Sequence, residues 1–146
     1  MKILFATDGS DFSKKAIARI AGLVGSNGTA GIKAISVFET FAPMAAEPFA
    51  VSADYYRELE ESSRKRADAW ADEAVAELRK ILPSADVTKE VAMGAPSRVI
   101  IETAKEWGAD LIVVGSHGRG FWGRVMLGSV SDAVLHHAPC SVLVVR

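Results

Sequence analysis

Short apolar runs alternate along the chain with longer stretches in which apolar residues return every three or four positions. Lys2 to Thr7 (KILFAT) is an apolar run closed by Asp8-Gly9-Ser10, the pattern of a buried strand that ends in a turn. Ser10 or Asp11 can cap the stretch that follows, where Ala16, Ile17, Ile20, Leu23 and Val24 recur at helical spacing. That helix is predicted to stop near Gly25 to Gly28, before a second strand from Gly31 to Phe38 (GIKAISVF). After a loop holding Pro43 and Pro48, Ser52 to Leu82 reads as a long helix. Its inward side is predicted to carry Tyr56, Leu59, Ala67, Trp70, Ala74, Leu78 and Ile81, and Pro83 ends it. Ala85 to Ala92 is a third strand, and Gly94-Ala95-Pro96-Ser97 opens a third helix with Val99, Ile100, Thr103, Ala104 and Trp107 on its apolar side. Leu111 to Val114 is a fourth strand of consecutive apolar residues, as expected where helices cover both faces of a sheet. Ser129 to His137 is a short helix and Ser141 to Val145 (SVLVV) a last strand.

This regular alternation implies a single doubly wound α/β domain with a mainly parallel sheet. Ligands on such sheets sit beyond the carboxyl ends of the strands, where the strand order reverses. The segments Ala6-Thr7-Asp8, the end of strand two near Val37, and Gly115 onward are therefore expected to meet. Of the 146 residues, 49% are hydrophobic, which is enough for a core and excludes a disordered chain. A net charge of −1 excludes a general binder of nucleic acid or of membrane surfaces, both of which need a basic excess. No apolar run approaches the roughly 20 residues of a membrane span, and the opening MKILFATDGSDFS lacks the apolar core of a signal peptide. With one cysteine, Cys140, and so no internal disulfide, the expectation is a cytoplasmic protein.

The chemistry is concentrated in VVGSHGRGFWGRVMLGSVSDAV, from Val113 to Val134. Gly118, Gly120 and Gly123 form a literal G-x-G-x-x-G, but a dinucleotide fingerprint belongs after the first strand and needs an acid about 20 residues on. The one acid after Gly123 is Asp132, so this reading fails. A Walker-type loop fails as well, because no Gly-Lys-Ser/Thr is present. Gly115-Ser116-His117-Gly118, nine further residues, and Gly128-Ser129-Val130-Ser131 make a better phosphate cradle. Glycines expose backbone N–H groups and admit a close anion, while a helix opening on Ser129 and Ser131 presents unpaired N–H groups and hydroxyls. No acid lies between Gly115 and Ser131, whereas Arg119 and Arg124 do.

The spacing Gly115-x2-Gly118-x9-Gly128-Ser129 resembles the nucleotide signature of the universal stress protein family, in its ATP-binding branch. KILFATDGSDFS, GADLIVVGSHGRG and GSVSDAVLHHAPCSVLVVR are similar to that family's first strand and turn, fourth strand, and closing helix and strand. The resemblance implies a flavodoxin-like (Rossmann-like) five-stranded parallel sheet of order 3-2-1-4-5, with ATP, with or without Mg²⁺, at the point where the order reverses. Carried over residue by residue, it places Ala6 and Thr7 beside adenine, Asp8 near the ribose, and the Val37 backbone against the base. Val114, Gly115, Ser116, His117, Gly118, Arg119 and Gly120 would wrap ribose and phosphates, and Gly128, Ser129, Val130 and Ser131 would hold the phosphate tail. Phe121 and Trp122 depart from the pattern, and their role is left open.

Plainer readings stand beside these. Asp8 can simply cap the first helix, and Ser129 and Ser131 can simply cap the last. His117 lacks a nucleophile to serve as a base, which favours a polar contact on the phosphate side. His136, His137 and Cys140 fall short of a four-ligand zinc set and suit a helix end instead. Trp70 and Trp107 are expected in the core. The resemblance also makes the uncharged last strand a sheet edge, so a homodimer through Ser141 to Arg146 is expected. The leading functional expectation is a nucleotide-dependent sensor or adaptor in the stress response, with an unknown protein partner and at most slow hydrolysis. The alternatives are a Mg²⁺-dependent ATPase or phosphotransferase using Asp8, and a structural dimer without nucleotide.

Overall fold

The computed structural model describes residues 1–25, 28–39, 53–118 and 127–146. In chain order the elements are β1 (Lys2–Ala6), α1 (Asp11–Val24), β2 (Gly31–Phe38), α2 (Ala53–Ile81), β3 (Asp86–Met93), α3 (Pro96–Trp107), β4 (Leu111–Gly115), α4 (Ser129–His137) and β5 (Ser141–Val145). The five strands form one parallel sheet in the order β3-β2-β1-β4-β5. This is the flavodoxin-like arrangement, with the order reversing between β1 and β4. Strand ends differ from the sequence reading by a residue or so, as hydrogen-bonded boundaries commonly do.

The central strand shows why the sheet is sandwiched. Ile3, Leu4 and Phe5 of β1 are all fully buried although successive side chains leave opposite faces. Ile3 and Phe5 join Ile17 and Ile20 of α1 and Ala74 and Leu78 of α2 in one cluster. Leu4 joins Ile35, Ile112 and Val114 with Ile100 of α3 and Val134 of α4 in the other. Helices α1 and α2 thus cover one face, and α3 and α4 the other.

Several inward assignments made from periodicity are not fully buried. Leu23, at the end of α1, is 55% exposed. At about 1.5 Å per residue the 29 residues of α2 span roughly 43 Å. The eight residues of β2 or β3 span only roughly 26 Å. The surplus falls at the N-terminal end of α2, where no residue before Ala67 is buried, so Tyr56 and Leu59 overhang the sheet. Ile81, at the other end, is 39% exposed, while Ala71 and Val75 complete the buried stripe. Trp70 is half-buried at the cleft described below. Trp107 is also half-buried, with the Lys2 and Lys33 ammonium groups 5.6 and 5.2 Å from its ring at the amino ends of the strands.

Leu78→Ala, which removes a fully buried side chain between α2 and the sheet, is expected to lower stability by about 2–5 kcal/mol in urea unfolding. Lys89, paired on the surface with Asp68 and Asp72 at 3.0 and 2.7 Å, is expected to leave the urea midpoint nearly unchanged when replaced by alanine.

Candidate functional site

Parallel strands deliver their following loops to one end of the sheet, and the loops after β1 and β4 diverge because their helices lie on opposite faces. Between them opens a cleft of about 550 Å³, within the range of small-ligand sites. Ala6, Thr7 and Asp8 line it from β1, Val37 from β2, and Val114, Gly115, His117 and Gly118 from β4 and the loop after it. Gly128, Ser129, Val130 and Ser131 close it from α4. Ser116 is fully buried behind this lining. Arg119 and Gly120 lie outside the described residues, as do Phe121 and Trp122.

Asp8 is fixed by the first turn of α1. Its Oδ1 accepts hydrogen bonds from the Ser10 N–H at 3.0 Å and from the Ser13 hydroxyl at 3.1 Å. Ser10 is the N-cap, its Oγ accepting from the Ser13 N–H. Gly9 between them has φ +69°, a conformation that a side chain resists. A carboxylate here also sits at the positive end of the α1 dipole. The capping role and the cleft-facing role therefore coexist, because the carboxylate that holds the turn also lines the cleft.

The signature glycines turn out to be filled by the protein itself. A Cβ on Gly115 would lie 2.9 Å from the Phe12 Cβ and 3.2 Å from the Ser13 backbone nitrogen, so this glycine lets α1 start directly against β4. A Cβ on Gly118 would lie 2.9 Å from Asp8 Oδ2. On Gly128 it would lie 3.2 Å from the Ser116 carbonyl oxygen and 3.3 Å from the His117 Cα. Each glycine thus admits a neighbouring segment of the chain.

The start of α4 is clasped to the end of β4 through one carbonyl. Ser116 O accepts from the Gly128 N–H at 2.8 Å and from the Ser131 hydroxyl at 2.9 Å, while the Ser116 N–H donates to Val145 O at 2.7 Å. The Ser131 hydroxyl also reaches Gly128 O at 2.9 Å, so its single proton is committed within the protein. Ser129 is the exposed serine of this turn. Gly128 brings no side-chain cap, so the first N–H groups of this nine-residue helix face the cleft without one. Such a terminus attracts an anion. His117 is buried with its ring 5.4 Å from that of Phe12, and its Nδ1 lies 3.1 Å from Ser116 Oγ.

Five cleft residues escaped the sequence reading: Ile35, Glu39, Trp70, Pro96 and Ile100. Ile35 was recoverable, since it shares a strand face with Val37 two positions on. Pro96 and Ile100 follow from α3 beginning at the carboxyl end of the sheet. Trp70 carried no local signal. At the far end of α4, His136 Nδ1 lies 2.8 Å from Asp132 O, and burial pushes the Cys140 thiol above its ordinary range. Among the described residues no three histidine, cysteine or acidic side chains are grouped to hold a metal ion.

Gly115→Ala is expected to cost about 1–3 kcal/mol in urea unfolding, because backbone atoms obstruct the new methyl group. Gly118→Ala, obstructed by the end of a side chain, is expected to cost less in the same measurement.

Comparison with known proteins agrees with this architecture. The model of the universal stress protein family matches residues 1–146. A universal stress protein of Thermus aquaticus is 36% identical over 99% of this chain and 97% of its own length. The solved structure of universal stress protein UspA from Lactobacillus plantarum is similar with a TM-score of 0.82 at 27% identity, covering 100% of this chain and 97% of that one. A universal stress protein solved in complex with cAMP has a TM-score of 0.70 at 26% identity, again covering 100% and 97% of the two chains. With a family match over its whole length and a relative of this identity, the chain belongs to the universal stress protein family.

Proposed function

We propose that the cleft binds an adenine nucleotide such as ATP, and that the protein acts as a nucleotide-dependent sensor or adaptor in the stress response. The observation that carries this reading is the pairing of opposite chemistries across one cleft: the uncapped start of α4 on one side and the Asp8 carboxylate on the other. The first suits phosphate and the second suits the hydroxyls of a ribose. Ile35, Val37, Val114 and Ile100 supply an apolar wall for a base. The cAMP complex of a 26% identical relative supports the same ligand class.

In this reading Ala6, Thr7 and the Val37 backbone border the adenine, and Asp8 accepts from the ribose. Val114, Gly115, His117 and Gly118 flank ribose and phosphates, with Ser116 fixing their backbone from behind. Gly128, Ser129 and Val130 present the helix terminus to the phosphates, and Ser131 holds that terminus in place. Arg119 and Gly120 complete the proposal at the sequence level. Asp8 and Glu39 are the acids that line the cleft among the described residues, and Asp8 Oδ1 already holds the α1 turn. That commitment suits a fixed acceptor better than a group that must move a proton, so hydrolysis is slow. Mg²⁺, where present, would accompany the phosphates.

Titration calorimetry with ATP, ADP, AMP and cAMP is the test. Saturable binding is expected, weakened at least about tenfold, or 1.4 kcal/mol, by Asp8→Ala. Flat titrations with all four would overturn the proposal in favour of a nucleotide-free protein. Rapid turnover lost in Asp8→Ala with binding kept would replace the sensor with an ATPase.

The homodimer belongs to the same proposal. Strand β5 is a sheet edge of uncharged, mostly apolar residues, whereas the opposite edge, β3, carries Asp86, Lys89 and Glu90. Leu23 and Leu135, 55% and 46% exposed, flank β5 along one groove with Leu127. Pairing of two copies through Ser141 to Arg146 would cover this edge and these leucines. No helix among the described residues is long and apolar enough to cross a membrane. Light scattering at micromolar concentration is expected to return twice the chain mass of 15.5 kDa, and a monomer there would refute the pairing.

A further inference from the structure

Trp70 is the one residue of α2 that lines the cleft among the described residues, and its place is unlike that of the alanines around it. Ala67, Ala71 and Ala74 are buried against the sheet, while Trp70 is half-buried and borders two cavities. The first is the cleft, and the second is a smaller space of about 310 Å³ between α1 and α2. Thr7 also lines both. The indole is therefore a partition at the head of the sheet, with open volume on each side, which is not how a core side chain packs.

What the indole rests on is Gly9. A Cβ at that position would fall into the ring, 2.6 Å from Nε1 and 2.8 Å from Cγ. Gly9 is the hinge of the turn that presents Asp8, and its φ of +69° already restricts it to glycine. Two elements thus press on the Asp8 turn from different sides. Helix α1 holds the carboxylate through the Ser10 N–H and the Ser13 hydroxyl, and α2 holds the backbone one residue later through the Trp70 ring.

We infer that Trp70 is a positioning residue for the nucleotide site: by packing on Gly9 it fixes where the Asp8 carboxylate stands, and so makes α2 a mechanical partner of the ligand. The inference rests on the nucleotide reading of the cleft. It adds that a displacement of α2 at Trp70 shifts Asp8, and that a ligand drawn to Asp8 is felt by the indole. Smaller side chains at residue 70 take the aromatic face away from Gly9. Phenylalanine keeps an aromatic face against Gly9 and preserves most of the support.

The test is a double-mutant cycle read by calorimetry with ATP, using Trp70→Ala, Trp70→Phe, Asp8→Asn and the Trp70→Ala/Asp8→Asn pair. Trp70→Ala is expected to weaken binding about tenfold and Trp70→Phe to restore most of it. The double variant is expected to bind no more weakly than Asp8→Asn, since residues acting through one another are not additive. Losses that multiply in the double variant, or wild-type affinity in Trp70→Ala, would overturn the assignment. Should Trp70→Ala fail to fold by circular dichroism, fluorescence decides. In a Trp122→Phe protein the remaining indoles are Trp70 and Trp107, and Trp107 lies at the other end of the sheet beside Lys2 and Lys33. ATP is expected to change the emission of that protein, and adding Trp70→Phe is expected to abolish the change. Binding without any emission change overturns this assignment alone, whereas no binding by the wild-type chain overturns the nucleotide reading together with it.

Discussion

The structure depends on two chain segments fitting side by side where the strand order reverses. Strands β1 and β4 are neighbours, and both run their following loops out of the same end of the sheet. The α1 turn and the β4 loop must therefore occupy adjacent space before their helices part to opposite faces. Gly115 makes that possible, since the first turn of α1, at Phe12 and Ser13, stands where its side chain would be. Gly118 gives the same room to the Asp8 carboxylate, and Gly128 gives it to the Ser116 carbonyl. The glycine spacing is a condition for assembling the cleft.

Assembly of this kind commits several cleft groups to partners within the protein. Asp8 Oδ1, the Ser116 carbonyl and the Ser131 hydroxyl each make hydrogen bonds there. The same commitments divide labour among the polar residues. Ser131 and Ser116 support, while Ser129, the start of α4 and the outward side of Asp8 face the open volume.

The outer parts of the molecule differ in how they treat solvent. Edge strand β3 is guarded by charge, and Lys89 ties it to α2 through Asp68 and Asp72. Edge strand β5 carries no charged residue within Ser141–Val145, and α1 and α4 each leave a leucine beside it, in a groove that Arg19 and Arg146 also line. Helix α2 combines both behaviours: its C-terminal half is anchored by Ala67, Ala71, Ala74, Val75 and Leu78, and its N-terminal half projects beyond the sheet. Trp70 lies where the anchored part meets the cleft.

The sequence by itself determined everything that is periodic or local. Apolar runs and three-to-four spacing named each strand and helix among the described residues, and their alternation imposed a doubly wound sheet, because a buried parallel strand must be covered on both faces. The Gly115, Gly118 and Gly128 spacing and the Asp8 turn pointed to residues that line one cleft, since turn chemistry is written in neighbouring residues. Only the tertiary structure decided what depends on the relative placement of distant elements. A period of 3.6 residues put Leu23, Tyr56, Leu59 and Ile81 on an inward stripe, but it carries no information on where a helix outruns the sheet. Nor could it tell that Trp70 meets Gly9 rather than the core, or that the Ser131 hydroxyl reaches the Ser116 carbonyl, because both contacts are fixed by packing between segments far apart in the chain.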